Sequence, residues 1–254
     1  MADQKITALT ELTAPTVSSL LVAVDDPAGT PLTKKLSIGT LLKTLALRDL
    51  SVQVLTSTAG TYTPTVGMKN VLFVLVGGGG GGASVTAIDD AGGGGGGGGT
   101  VIKLSTSAAV GASQAYVAGP LSNASSSGYS TTITGLSLTA GGGGFGAATG
   151  NTTTLGASAA GGSGGTASGG DINVPGKPGM RAIIYDTTNG SGGAGGDSVF
   201  GKGGAQSGTA AAGNNGTAYG GGGGGAHTAD DTNRNGGTGA AGVIYAIEFL
   251  ASSS

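Results

Sequence analysis

The chain contains no cysteine and no tryptophan, a single histidine and few charges: 11 Lys and Arg against 13 Asp and Glu, 9% of residues where about 25% is usual. The missing cysteines exclude disulfides, thiolate zinc sites and cysteine nucleophiles. A formal net charge of −2 offers no basic surface to nucleic acid or to an anionic membrane. Long apolar runs are missing too. The longest, residues 71–76, is far too short to cross a bilayer. The polar start MADQKITALTEL is not a secretory signal. Manufacture in a cytosol is expected, which suits a particle component released by lysis. Aromatics make up only 4% of the chain, so no thick core of large side chains can form.

What is abundant is glycine, 58 of 254 residues, against a usual share of about 7%. Glycine lets main chains approach closely, so order is expected from backbone hydrogen bonds between thin segments. The tracts 77–82, 92–99, 141–144, 161–170, 190–196 and 220–225 are not collagen, because glycine does not recur strictly at every third position along them. A polyglycine-II form has three residues per turn and no internal hydrogen bonds. Several such segments side by side can satisfy one another's amides, which predicts that the tracts assemble into a bundle.

Two regions differ in composition. Residues 1–50 hold few glycines and most of the leucines. They read as strands at 6–12, 20–24 and 34–38, a turn at Asp25-Asp26-Pro27-Ala28-Gly29, and a short helix capped by Ser37 or Thr40 and running to Leu47. This segment is too small to bury a core alone. Residues 51–254 read as an all-β domain, sandwich-like, with strands at 51–55, 71–76, 100–104, 115–117, 130–138, 181–185 and 242–250. Tyr62-Thr63-Pro64 reads as a polar turn, and 71–76 as a strand buried on both faces. Tyr245 and Phe249 are assigned to the core.

The order of these elements resembles the glycine-rich domain of phage tail-fibre proteins. The matching features are Tyr62-Thr63-Pro64, then Val71-Leu72-Phe73-Val74-Leu75-Val76 running into 77–82, then 92–99 followed by Thr100-Val101-Ile102. Ser198-Val199-Phe200-Gly201 and the closing stretch from Gly239 to Glu248 complete it. The leader, with Lys5-Ile6-Thr7-Ala8-Leu9, Leu20-Leu21-Val22-Ala23-Val24 and Lys34-Lys35-Leu36-Ser37-Ile38, is similar to leaders of phage virion appendages. The resemblance implies a homotrimer on the particle surface. Its N-terminal module would dock on tail or capsid proteins, and its outer end would meet a host-surface glycan or outer-membrane protein. Docking candidates are Ile6, Leu9, Leu12, Leu20, Val22, Val24, Leu36, Ile38, Leu41, Leu42 and Leu45. A head fibre or capsid decoration protein is the alternative. An ice-binding protein would need regular threonine arrays, and none is found.

Chemistry of other kinds is thin. Matches to G-x-G-x-x-G follow from composition, and no helix follows the strand at 71–76 as a dinucleotide site needs. Phe200-Gly201-Lys202-Gly203 lacks the Ser or Thr of a P-loop. His227 with Asp230 and Asp231 invites thoughts of a metal or an acid–base pair, but reads as a solvated loop; the pairs Asp89-Asp90 and Asp25-Asp26 invite thoughts of calcium, and turn chemistry accounts for them equally well. No catalytic residue, cofactor or metal is assigned. The recognition candidates are Tyr116, Tyr129, Phe145, Tyr185, Tyr219, His227 and Arg234. They lie between glycine tracts, where an aromatic on a rigid loop can stack on a sugar or grip a protein. The competing reading has half of them capping the strand layer.

Overall fold

Short bursts of β-branched and aromatic residues separated by glycine make short strands, and the computed structural model is all-β. It describes residues 20–25, 32–37, 50–86, 88–150, 154–186, 188–230 and 232–251. The chain divides into two compact units, Met1–Asp49 with Leu250–Ser254, and Leu50–Phe249. In the first unit β1 (Leu20–Asp25) and β2 (Leu32–Ser37) pair antiparallel, with Leu20 opposite Ser37 and Asp25 opposite Leu32. Of the docking candidates, Leu20, Val22 and Val24 alternate along β1, and Leu36 lies in β2. Ile6, Leu9, Leu12, Ile38, Leu41, Leu42, Leu45 and the expected helix lie outside the described residues.

The second unit begins with β3 (Leu50–Leu55), β4 (Gly60–Tyr62), β5 (Met68–Val76), β6 (Asp90–Ala91) and β7 (Thr100–Thr106). A one-turn helix, α1 (Ser107–Val110), follows, capped by the Thr106 hydroxyl. Then come β8 (Gln114–Val117), β9 (Thr131–Ile133), β10 (Leu138–Ala140), β11 (Ser158–Ala159), β12 (Ala167–Ser168), β13 (Ile172–Val174), β14 (Ala182–Ile184), β15 (Gly190–Ser191), β16 (His227–Thr228) and β17 (Val243–Leu250). Two five-stranded sheets, ordered β13-β7-β5-β17-β3 and β12-β10-β9-β8-β4, pack face to face at one end of the unit. Val71, Phe73 and Leu75 of β5 and Ile133 and Leu138 of β9 and β10 fill the space between them and are fully buried. Smaller sheets, β11-β14-β15 and β16-β6, lie at the other end.

Three readings of the sequence are corrected here. Tyr245 and Phe249 are not in the core: they alternate along β17 with the buried Ile244, Ala246 and Glu248 and are half-buried on the opposite face of the sheet. Residues 130–138 are not one strand but a hairpin, β9 and β10, turned through a 3-10 segment at Thr134–Leu136 with Ser137 left-handed at φ 53°. Tyr62 is not in a turn. It ends β4, and its ring is fully buried, edge-on to Phe73 at 5.1 Å. The Tyr62 hydroxyl donates to Glu248 Oε1 at 2.6 Å, and the same oxygen accepts from the Thr65 amide and from Gln53 Nε2. These bonds clasp the last strand to the first turns of the unit.

Between the two ends, twelve extended segments run side by side. The amides of 77–83 donate in turn to Gly99, Tyr129, Ala240, Gly96, Ser126, Gly237 and Gly93. Every third amide therefore meets the same neighbouring segment. The amides of 92–99 repeat the pattern, reaching Ala226, Ala147, Met180, Gly223, Gly144, Lys177, Gly220 and Gly141 at 2.7 to 3.0 Å. This threefold rotation of donors is the hydrogen-bond pattern of packed polyglycine-II helices.

Three segments, 77–83, 92–99 and 220–226, touch one another, and each has six neighbours. Nine further segments surround them in chain order: 119–123, 126–130, 141–147, 160–166, 176–180, 192–197, 201–207, 213–217 and 236–242. The register of the bonds shows consecutive segments running in opposite directions. Close approach demands glycine at the centre. A Cβ on Gly225 would run into the carbonyl of Gly92, and one on Gly82 into that of Gly224. Outer segments have one face in water and carry side chains there, and in 160–166 these recur at every third residue. Ala160, Ser163 and Thr166 are exposed while Gly162 and Gly165 between them are buried.

Candidate functional site at the loop end

Because the twelve segments alternate in direction, their connections gather at two ends. The end nearest β3 and β17 carries the two large sheets. The opposite end collects the turns around residues 84–91, 124–125, 148–159, 181–191, 208–212 and 227–235. Loops held by a rigid frame are where binding residues concentrate.

His227 stands at the centre of this end. β16 pairs with β6, placing His227 opposite Ala91 and Thr228 opposite Asp90. The ring is buried, and Nδ1 accepts a hydrogen bond from the Ala210 amide at 3.1 Å, so the neutral ring carries its proton on Nε2. Gly190 leaves room for the ring, since a Cβ there would meet Nε2. Burial lowers the His227 pKa from its ordinary 6.5, Asp89 and Asp90 oppose that shift, and Arg234 adds to it. Asp90 accepts from the Thr149 hydroxyl at 2.9 Å, and that hydroxyl accepts from the Ala91 amide. Arg234 exchanges backbone bonds with Val85 and pairs with Asp230 at 3.1 Å. The Thr228 hydroxyl and the Thr232 amide hold the Asp230 carboxyl below its usual range, with Arg234 contributing less. Among the described residues no group of three His, Asp or Glu side chains is placed to hold a metal.

A second turn carries the exposed aromatic. Asp186 accepts from the side chain of Asn189 and from Thr188, which push its carboxyl down to about 2. The turn fixes Tyr185 with its ring mostly in water, its hydroxyl 3.3 Å from Ser191 Oγ. Ser191 is in turn held by Gln206 Nε2 at 2.9 Å. Leu155 lies beside this turn, through the bond from the Gly156 amide to the Ile184 carbonyl, and is 65% exposed. Ile88 is exposed at the same end. Beneath them Ala91, Ala159, Ala182 and Ile184 form a small apolar cluster that joins the loops.

The seven recognition candidates are thus separated. Tyr185, His227 and Arg234 are at the loop end, but only Tyr185 presents a broad apolar face to water. His227 is buried as a support for the loops, since its ring is enclosed and its Nδ1 engaged. Tyr116 is buried in β8 at the sheet end, against Gly60. Tyr219 is also at the sheet end, where it and Phe200 pack on Tyr245. Tyr129 and Phe145 project from the sides of outer segments and are about half exposed. Leu155 and Ile88 were not among the candidates. Their signal in the sequence is a single large apolar residue in an otherwise polar turn. No protein-family model matches the chain, and no curated protein is detectably similar to it.

Proposed function

We propose that the chain is a non-enzymatic structural appendage of a bacteriophage particle, a tail fibre or receptor-binding protein. Its loop end meets the host surface, and residues 1–49 dock on the particle. The order of motifs described above supports the reading. The observation that carries it is geometric: the alternating segments collect six turns at the end of the unit away from β3 and β17. Such a frame suits display, because its loops rest on a lattice of backbone bonds. His227 is enclosed with its Nδ1 engaged, and Glu248 lies at the opposite, sheet end with Oε1 taken up by Tyr62, Thr65 and Gln53, so at the loop end the exposed Tyr185, Leu155 and Ile88 support binding.

Competition of purified protein with phage for adsorption tests this. Wild-type chain is expected to slow adsorption, and Tyr185→Ala combined with Leu155→Ala to lose most of that effect while unfolding at the same temperature. A double variant that competes as well as wild type would reject the loop end as the contact. Deleting residues 1–49 is expected to leave particles without the protein. Labelling the chain on intact particles separates a tail location from the head-fibre alternative.

A further inference from the structure

We infer that the outer face of the sheet β13-β7-β5-β17-β3 is an interface between copies of this chain. The inner face of this sheet packs on the second sheet through Val71, Phe73, Leu75, Ile244 and Ala246. The register assigns the other face. Leu50, Val52 and Val54 of β3 lie opposite Phe249, Ile247 and Tyr245 of β17. Across the sheet Leu72 lies opposite Leu104, and Ile102 opposite Ile172. No Asp, Glu, Lys or Arg occupies this face, although the chain carries 24 of them.

Next to the bundle this face is covered, with Val74, Val76 and Thr100 buried, and away from it the face is open to water in a single chain. Leu50, Val52, Val54, Leu104 and Ile172 are 51 to 62% exposed, and Phe200, packed on Tyr245 beside them, is 47% exposed. With the half-buried residues among them they present on the order of 600 Å² of apolar surface, at the upper limit of what monomers expose. With a modest rim, that approaches the share of about 800 Å² that one partner gives a standard interface. β3 is also an edge strand, six residues long, without Lys, Pro or bulge. Edges of that kind pair with other chains unless something covers them.

The occupant we assign is a second copy. A face with no charge and few polar groups offers nothing for a charged partner to read, and it complements only another surface of its own kind. The chain carries such a surface in the face itself, and rotational symmetry can bring it against its copies. Association here would leave the loop ends free, because they lie at the far end of the segments. This inference stands apart from the phage reading and needs only the purified chain.

The test is sedimentation of the full chain over a range of concentrations. Wild type is expected to form a defined oligomer, with the number of copies read from its mass. Val52→Asp and, separately, Leu104→Asp put a charge on the face at positions that tolerate it in a monomer. Each is expected to raise the dissociation constant about a hundredfold or more, with circular dichroism unchanged. Val66→Asp, at a turn residue that is 96% exposed, is the control and should leave association unaltered. Hydrogen exchange in β3 should slow as wild-type concentration rises, which holds whether or not a variant folds. A wild-type chain that stays monomeric near 100 μM, or oligomers that survive both Asp variants, would overturn the inference.

Discussion

At the sheet end Phe73 is buried by Tyr62, Ile133 and their neighbours, and side chains do the filling. Among segments 77–83, 92–99 and 220–226 there are no side chains larger than that of alanine, and the interior is backbone. The first region obeys the rules of ordinary cores, in which apolar area and shape set stability. In the second, successive amides are satisfied by three neighbours in rotation, and what sets stability is how closely main chains can approach. Burial is therefore achieved in two ways within one unit. The two should fail differently when a single methyl group is added or removed.

The largest expected effect is at the centre of the bundle. Gly225→Ala or Gly82→Ala forces a Cβ into a carbonyl that is itself fixed by its neighbours. Each should cost more than about 4 kcal/mol, beyond ordinary overpacking, and leave the unit unfolded or molten in denaturant titrations. Gly208→Ala, where an added Cβ meets nothing within 4 Å, should change stability by less than about 0.5 kcal/mol. Equal costs at the two sites would erase the distinction between the regions.

Next comes the side-chain core. Phe73→Ala should cost about 3–5 kcal/mol by the cavity it leaves. The cost should appear in the same cooperative transition if sheets and bundle fold as one. Two separate transitions in the variant would show that they do not.

The clasp at Glu248 joins the last strand to the first turns, and Glu248→Ala should cost about 2–4 kcal/mol by stranding the Tyr62 hydroxyl and the Thr65 amide. Its pH dependence has a definite sign. Burial would raise the Glu248 pKa, but hydrogen bonds from Thr65 and Tyr62 outweigh it and hold the group below its ordinary 4.5. The charged form is favoured in the folded state. Its contribution is present above pH 4.5 and is lost as pH falls through the folded value. Glu248→Gln should flatten that acid limb in unfolding measurements.

The smallest effect is local. His227 has its pKa lowered, chiefly by burial, so the folded loop end favours the neutral ring. That contribution is present above pH 6.5 and is lost as pH falls toward the folded value. Protection factors for hydrogen exchange in β6 and β16, corrected for the intrinsic rate at each pH, should fall between pH 7 and pH 5 while those in β5 hold. Uniform loss of protection would place the effect elsewhere.

Much of this architecture was legible in the sequence, and the rest was not for physical reasons. The strands at 51–55, 71–76 and 242–250 are apolar runs of strand length, and the structure has β3, β5 and β17 there. Residues 130–138 have strand character throughout, and only Gly135 and the left-handed Ser137 mark the reversal. Tyr62 reads as a turn residue because its partner, Glu248, is 186 positions away. In the outer segments a spacing of three is visible locally, as in Ala160-Gly161-Gly162-Ser163-Gly164-Gly165-Thr166, but it lapses between tracts. Inner tracts carry no such mark, because all their faces are covered. Of the loop end, the aromatic at 185 could be read from the sequence. Leu155 and Ile88 stand out locally as single large apolar residues in polar turns, but their sharing one end could not be read, since only the alternating path of the chain brings their turns together.

A helix with three residues per turn also dictates how such a unit can change length. Inserting one residue into 92–99 would rotate everything beyond it by about 120°, so that each later donor would face the wrong strand of the lattice. Inserting three restores every direction and merely lengthens the rod by about 9 Å. Relatives of this protein should therefore differ in these tracts by triplets of residues, and taller or shorter versions can arise without redesign of either end.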